Sequence, residues 1–136
     1  MAQIFAGDMK EITCTENGKT YRFEPKSNES FNIDKGGVRN NDDANQIGTQ
    51  GTMLIQKNRT RGKIDGPILA SAQVITDLNT LTKSFFTQDW TFVHINGSVY
   101  KSLGGGVIVG DLQVDSNAGT IALMVAAREF EEIKNI

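Results

Sequence analysis

The chain of 136 residues is long enough for one domain with a hydrophobic core. Its formal net charge of −2 excludes the basic excess with which general nucleic-acid-binding proteins neutralise phosphates. The single cysteine, Cys14, excludes an internal disulfide and a cysteine zinc cluster, and it fits a reducing, cytoplasmic place of synthesis.

Two short strands are predicted near the start of the chain, at Met9–Thr15 and Lys19–Lys26. Between them lies Glu16-Asn17-Gly18, and Asn-Gly is the strongest short hairpin signal. The alternation within the two strands turns four side chains inward, namely Ile12, Cys14, Tyr21 and Phe23. The N-terminus resembles no signal peptide, and no apolar run approaches the ~20 residues needed to span a bilayer. We therefore expect no membrane anchoring by this chain.

The segment 27–51 is predicted to be a long loop that includes, at most, a short strand at Ser30–Asp34. It contains few large apolar residues and a polar turn-forming cluster at 40–45. Loops of this length are usually functional or disordered, so this one either hangs free or is ordered by a neighbour. Asp42 and Asp43 offer oxygen ligands for Ca²⁺, but they lack the EF-hand spacing.

Two further strands, Thr52–Lys57 and Gly62–Leu69, precede an amphipathic helix at about 70–86. The helix carries an apolar stripe at spacings of four, three and four residues, formed by Val74, Leu78, Leu81 and Phe85. Ser71 can cap its first turn. We expect the helix to lie on a sheet.

A third hairpin is predicted from Thr87–Asn96 and Ser98–Leu103, around Asn96-Gly97. Its first strand carries apolar residues on both faces, which is typical of a central strand. Gly104-Gly105-Gly106 does not fit the GxGxxG register of phosphate-binding loops and is interpreted as a connection between hairpins.

The most regular pattern is the stretch Val107–Ala127, which predicts two strands joined by a turn at Ser116-Asn117-Ala118-Gly119. One face is apolar and comprises Ile108, Leu112, Val114, Ile121, Leu123 and Val125. The opposite face is more polar and includes Asp111, Gln113, Asp115 and Thr120. The charged end, Arg128–Ile136, either extends the last strand, forms a helical turn or frays.

No residue pattern predicts catalysis, a cofactor site or a metal site. His94 is the only histidine, and no catalytic partner is placed near it. Asp111 and Asp115 share a strand face ~13 Å apart, too far to hold one metal ion. The element order predicts an α+β, mostly β fold, with one amphipathic helix packed on an antiparallel sheet or sandwich.

The C-terminal hairpin resembles those of bacteriophage tail tube proteins of the contractile-tail type. The resemblance is carried by the segments 109–115 and 118–123, and the break and helix at Gly66–Phe86 and the early hairpin support it. It extends over nearly the whole chain as a single tail-tube-like domain. It implies an antiparallel β-sandwich or half-barrel with one flanking amphipathic helix at about 70–86, a fold that also serves tailocin and type VI secretion tubes.

The resemblance implies a non-enzymatic virion protein that forms stacked hexameric rings and conducts DNA during ejection. It implies sheath, baseplate and tape-measure proteins as partners, assembly in the bacterial host cytoplasm, and no cofactor. Asp111, Gln113, Asp115 and Thr120 are the candidate lumen face. The loop residues Asn40, Asn41, Asp42 and Asp43 are the candidate inter-subunit contact. The alternatives are a tail terminator or tube-initiating baseplate protein of the same fold, and a small monomeric ligand-binding β-domain.

Overall fold

A computed structural model describes residues 9–26, 29, 31–51, 53–95 and 97–134. Its strands and single helix follow one another along the chain, in the order β1 Met9–Glu16, β2 Lys19–Phe23, β3 Asn32–Asp34, β4 Gly37–Ile47, β5 Met53–Thr60, β6 Gly62–Leu69, α1 Ala72–Lys83, β7 Asp89–His94, β8 Ser98–Ile108, β9 Val114–Asp115 and β10 Thr120–Lys134. The α+β, mostly β fold class is confirmed. The helix of the described part is too short to cross a membrane.

Eight strands form one antiparallel sheet in the order β2-β1-β7-β8-β10-β6-β3, with β9 paired to β10. The sheet curls, so that the chain directly after β2, at one edge of the sheet, pairs with β6 near the opposite edge. Lys26 N donates to Pro67 O at 3.2 Å and Leu69 N donates to Glu24 O at 2.9 Å. The sheet therefore forms a half-barrel that is bridged at this end without closing along its whole length.

The core fills the concave side of this sheet. A row of aromatic rings crosses it, with centroids 5.9 Å apart for Phe23 and Trp90, 6.1 Å for Trp90 and Phe92, and 6.1 Å for Phe92 and Phe130. As predicted, β7 is a central strand, paired with β1 and β8. The four side chains predicted to point inward from the first hairpin are buried.

The helix begins as predicted, because Ser71 Oγ accepts a hydrogen bond from Val74 N at 3.2 Å. Leu78 and Leu81 are buried in the core, and Val74 packs against it. The prediction for Phe85 is wrong. Ser84 adopts an extended backbone and ends the helix, so Phe85 leaves the stripe and is fully exposed.

The predicted long loop at 27–51 is largely strand, which corrects the sequence analysis. β3 pairs with β6, while β4 pairs with β5 in a separate two-stranded sheet. We call β4 and β5 the ribbon. The sequence of β4 is polar and shows no apolar alternation, and the two strands pair with each other outside the main sheet.

The hairpin Val107–Ala127 is less regular than its alternation predicts. Register runs from Val125↔Ile108 to Ile121↔Val114, so five residues of the first arm lie opposite three of the second. Gly110, with φ of +74°, turns the chain within this bulge. The three glycines at 104–106 are also not a connection, since they lie within β8 and include a one-residue bulge.

Candidate assembly surfaces

The predicted polar face of the C-terminal hairpin is only partly a surface. Asp111, Gln113 and Asp115 are exposed, whereas Thr120 is buried with 7% of its surface accessible. On the apolar face, Ile108 and Leu112 pack against the core, but Val114 is 48% exposed. Because of the bulge at 109–113, side chains of this hairpin do not alternate strictly between two faces.

Gln113, Asp115 and Thr120 line one shallow depression of about 370 Å³ together with Val114, and Asp111 does not contribute to it. Asp115 also has a local role, because its Oδ1 accepts hydrogen bonds from Asn117 N and Ala118 N, each at 3.1 Å. This carboxylate therefore fixes the turn before β10. The surface can present negative charge and hydrogen-bond acceptors to solvent.

The ribbon is joined to the main sheet through residues 34–36, which we call its root. Phe130 N donates to Lys35 O at 2.8 Å, and Lys35 Nζ lies 2.9 Å from Glu132 Oε2. The hydrogen bond with Glu132 raises the pKa of Lys35, and burial raises the pKa of nearby Tyr100. Asp34 Oδ1 accepts from Gly36 N at 3.1 Å. Backbone, carboxylate and ammonium groups thus fix where the ribbon starts.

The candidate inter-subunit residues Asn40, Asn41, Asp42 and Asp43 lie in β4, and their side chains are outside the described part of the structure. Within the ribbon, Asn40 pairs with Lys57 and Asn41 with Gln56, and the register shifts after Asn41. The acidic residues lie at that shift. Exposed Lys57 and Arg59 lie on the other strand, β5, so the ribbon carries both signs of charge.

Elsewhere in the described part of the chain, side chains that could act in catalysis or bind a metal do not come together. His94 is half-buried at the end of β7, opposite Met9. Cys14 is fully buried, and burial raises the pKa of its thiol to about 12. Within the described ranges, no group of three or more acidic, histidine or cysteine side chains is arranged to hold a metal ion.

Sequence reasoning missed an exposed aromatic pair after the helix. Phe85 is fully exposed and Phe86 is 74% exposed. The backbone carrying them is held in place, since Ser84 Oγ accepts from Phe86 N at 3.2 Å and Gln88 Nε2 donates to Phe86 O at 2.7 Å. The signal that could have found it is the Ser84 side chain, which can end a helix by bonding to the backbone.

The chain matches no family model and no curated protein sequence. Among solved structures, it is similar to a chain in the cryo-EM structure of the anti-feeding prophage (AFP) baseplate, which was six-fold symmetrised. The alignment covers 98% of each chain, with 14% identity and a TM-score of 0.51. The chain therefore shares the fold of a component of a prophage baseplate over almost its full length.

Proposed function

We propose that this protein is a structural component of a contractile injection particle, in which copies assemble into rings. The observation that carries the proposal is the likeness over 98% of both chains to a component of a six-fold symmetrised baseplate. The likeness extends over nearly the whole of the compared chain. The role proposed for this chain is therefore structural assembly.

Within that class, we propose a tail tube subunit. Six copies would form a ring, and stacked rings would conduct DNA during ejection, surrounded by sheath and joined to baseplate and tape-measure proteins. Assembly in the bacterial cytoplasm and residence in the particle's tail follow from this role. The exposed carboxylates of Asp111 and Asp115 support a lumen that repels DNA phosphates.

The ribbon supports assembly independently of the lumen. A two-stranded sheet is marginally stable in water when isolated. β4 and β5 pair with each other in a separate sheet, and a bridge between Gly36 and Glu129 joins the start of the ribbon to the main sheet. We propose that a neighbouring subunit or ring covers the ribbon around Asn40–Asp43. Protease should therefore cut the ribbon in free subunits and spare it in assemblies, and equal cutting in both would contradict this contact.

A second candidate is a tube-initiating baseplate protein, and the similar chain's place in a baseplate favours it. A tail terminator of the same fold would, like the initiator, form a single ring and no long tube. Negative-stain microscopy over a range of protein concentrations separates the classes. Tubes of variable length support the tube subunit, single rings support an initiator or terminator, and persistent monomers would leave the small ligand-binding β-domain.

The lumen assignment is tested in particles. Replacing both carboxylates, Asp111→Lys with Asp115→Lys, should slow or block genome ejection without preventing particle assembly, because cationic walls bind phosphates. A matched control is Asp77→Lys on the helix, which changes a charge away from the hairpin. Normal ejection from intact double-variant particles would count against the lumen assignment.

A further inference from the structure

The loop after the helix presents two phenylalanines in a fixed position. We call Phe85 and Phe86 the knob. The amide of Gln88 is central to it, because Nε2 donates both to Phe86 O at 2.7 Å and to Glu16 Oε2 at 2.8 Å. Gln88 itself is 2% exposed and pairs with Gly106 through two backbone hydrogen bonds of 2.9 and 2.7 Å. An ordered loop thus holds large apolar side chains in water.

Two carboxylates lie beside the knob, and exposed Lys83 precedes it in the last turn of the helix. The Glu16 carboxylate shares the Gln88 amide with the carbonyl of Phe86, and exposed Asp89 follows three residues after Phe86. Lys19, which lies opposite Glu16 in the hairpin, has its ammonium 4.8 Å above the Tyr21 ring. The knob surface is therefore aromatic with two carboxylates beside it.

An apolar depression of about 380 Å³ lies on the sheet surface beside the knob, and we call it the trough. Its floor is made of small or aliphatic residues, Gly105–Val107, Val109, Ala126 and Ala127. Register places Gln88 opposite Gly106, Gly106 opposite Ala127, and Ala127 opposite Gly62. The trough therefore crosses the strands from β7 towards β6, a span of roughly 14 Å at ordinary strand spacing.

The far end of the trough is positively charged. Arg61 and Arg128 line it, both are exposed, and neither forms an ion pair within the described part of the chain. Thr87 lines the other end, next to the knob. One molecule thus carries an aromatic, acidic projection at one end of the trough and two exposed arginines at the other.

We propose that the knob of one copy binds in the trough of the next copy, with Glu16 and Asp89 facing Arg61 and Arg128. This inference rests on the proposed function and names the subunit contact within it. In the proposed contact each copy uses its knob on one neighbour and its trough on the other, and such head-to-tail contacts produce rings or filaments. Two buried aromatic side chains and two opposite-charge pairs match the anchors that dominate protein interfaces.

Complementation between two defective variants tests the direction of the contact. Phe85→Ser with Phe86→Ser removes the knob, and Val107→Arg obstructs the trough. Each variant should remain monomeric by analytical ultracentrifugation while Trp90 fluorescence reports a native core. Mixed in equal amounts they should form dimers that do not extend, because one intact knob meets one intact trough. Assembly of either variant alone as in the wild type would overturn the contact.

Charge reversal tests the pairing without removing apolar area. Asp89→Arg and Arg128→Asp should each weaken self-association at least tenfold, and the double variant should recover most of the loss. Lys101→Asp, on an exposed position of β8 outside the trough, is the matched control and should leave association unchanged. A double variant no better than the single variants would contradict the proposed pairing.

Cross-linking gives a readout that does not depend on stability. Phe86→Cys and Val107→Cys in separate copies should form a disulfide-linked heterodimer on mixing, whereas Ile95→Cys at the other end of β7 should not link to Phe86→Cys. Cys14 is buried and does not interfere. If the wild type forms rings and the knob variant forms the same rings, this contact is rejected and the proposed function stands. Absence of any wild-type ring would reject the proposed function itself.

Discussion

Gly36 lies directly against the backbone of Gly62. A Cβ atom on Gly36 would stand 2.7 Å from the carbonyl carbon of Arg61 and still closer to the amide nitrogen of Gly62. Gly36 also has φ of +73°, a conformation that L-residues rarely adopt. The ribbon therefore leaves the sheet through a crossing that admits no side chain.

Gly36→Ala should destabilise the protein by more than its backbone conformation alone explains. Gly51→Ala is the matched control, because Gly51 has φ of +84° and nothing within 4 Å of its Cβ position. We expect about 1 kcal/mol for Gly51→Ala from the positive φ. The contact adds an overpacking cost of about 1–3 kcal/mol at Gly36. Urea unfolding followed by Trp90 fluorescence measures the free energy of unfolding of both variants. Equal decreases would contradict a steric clash at Gly36.

Phe92 is the centre of the aromatic row, with ring partners on either side. Phe92→Ala should lower the free energy of unfolding by about 3–5 kcal/mol, because it removes a fully buried ring and leaves a cavity. Phe86→Ala deletes the same atoms from an exposed position and should change monomer stability by less than about 0.5 kcal/mol. Chemical denaturation of dilute monomer compares them. Similar losses would mean that the row is not central to the core.

Ser71→Ala should cost about 1 kcal/mol, because the amide of Val74 loses its side-chain acceptor. Ser71→Asp should keep the cap and restore stability, since its carboxylate can accept the same hydrogen bond. Thermal melts recorded by circular dichroism are sufficient. An alanine variant as stable as the wild type would show that the helix does not depend on this cap.

The raised pKa of the Cys14 thiol predicts that the folded protein loses stability at alkaline pH. Its thiol pKa is raised from 9.0 to about 12 in the folded protein, first by burial and then by Glu16 and Asp89. Between these two values the unfolded chain releases a proton that the folded chain retains, so unfolding becomes more favourable as pH rises. Its contribution to stability is complete below about pH 9 and is lost as pH approaches 12.

The measurement is urea unfolding from pH 8 to pH 10.5, comparing the wild type with Cys14→Ala. The variant removes the titrating thiol, so its stability should fall less steeply across this range even if it is lower at pH 8. Native protein at pH 8 should also react with a thiol reagent only on unfolding. Parallel slopes for the two proteins, or rapid modification of the folded chain, would be inconsistent with this environment.

Local signals in the sequence predicted the parts of the fold that depend on nearest neighbours. The Asn17-Gly18 turn is confirmed, with φ of 51° and 80° that suit a two-residue hairpin. The buried alternation of β10 and the cap at Ser71 are confirmed for the same reason. Of the Asn96-Gly97 turn, Asn96 lies outside the described residues, while Gly97 N donates to His94 O at 3.0 Å.

What the sequence did not predict depends on contacts between distant segments. The strand β4 has no apolar pattern, and its partner β5 is the next strand along the chain, outside the main sheet. The bulges at 104–105 and 109–113 depend on how two long strands fit across one sheet, which alternation within each strand does not reveal. The residues of the candidate surfaces were also predicted only in part. Exposure of Asp111, Gln113 and Asp115 agrees with a surface, whereas Thr120 is buried and Phe85 is displayed by a backbone turn.

The position of β10 sets an order for folding during synthesis. This strand is the last described along the chain, yet it lies between β8 and β6 and joins the two halves of the sheet. Until residues 120–134 have left the ribosome, β8 and β6 each present an unpaired edge to solvent. Sequence-distant pairing of this kind slows folding and exposes chains to misassociation. A nascent chain therefore cannot complete the sheet around its core until β10 has been synthesised.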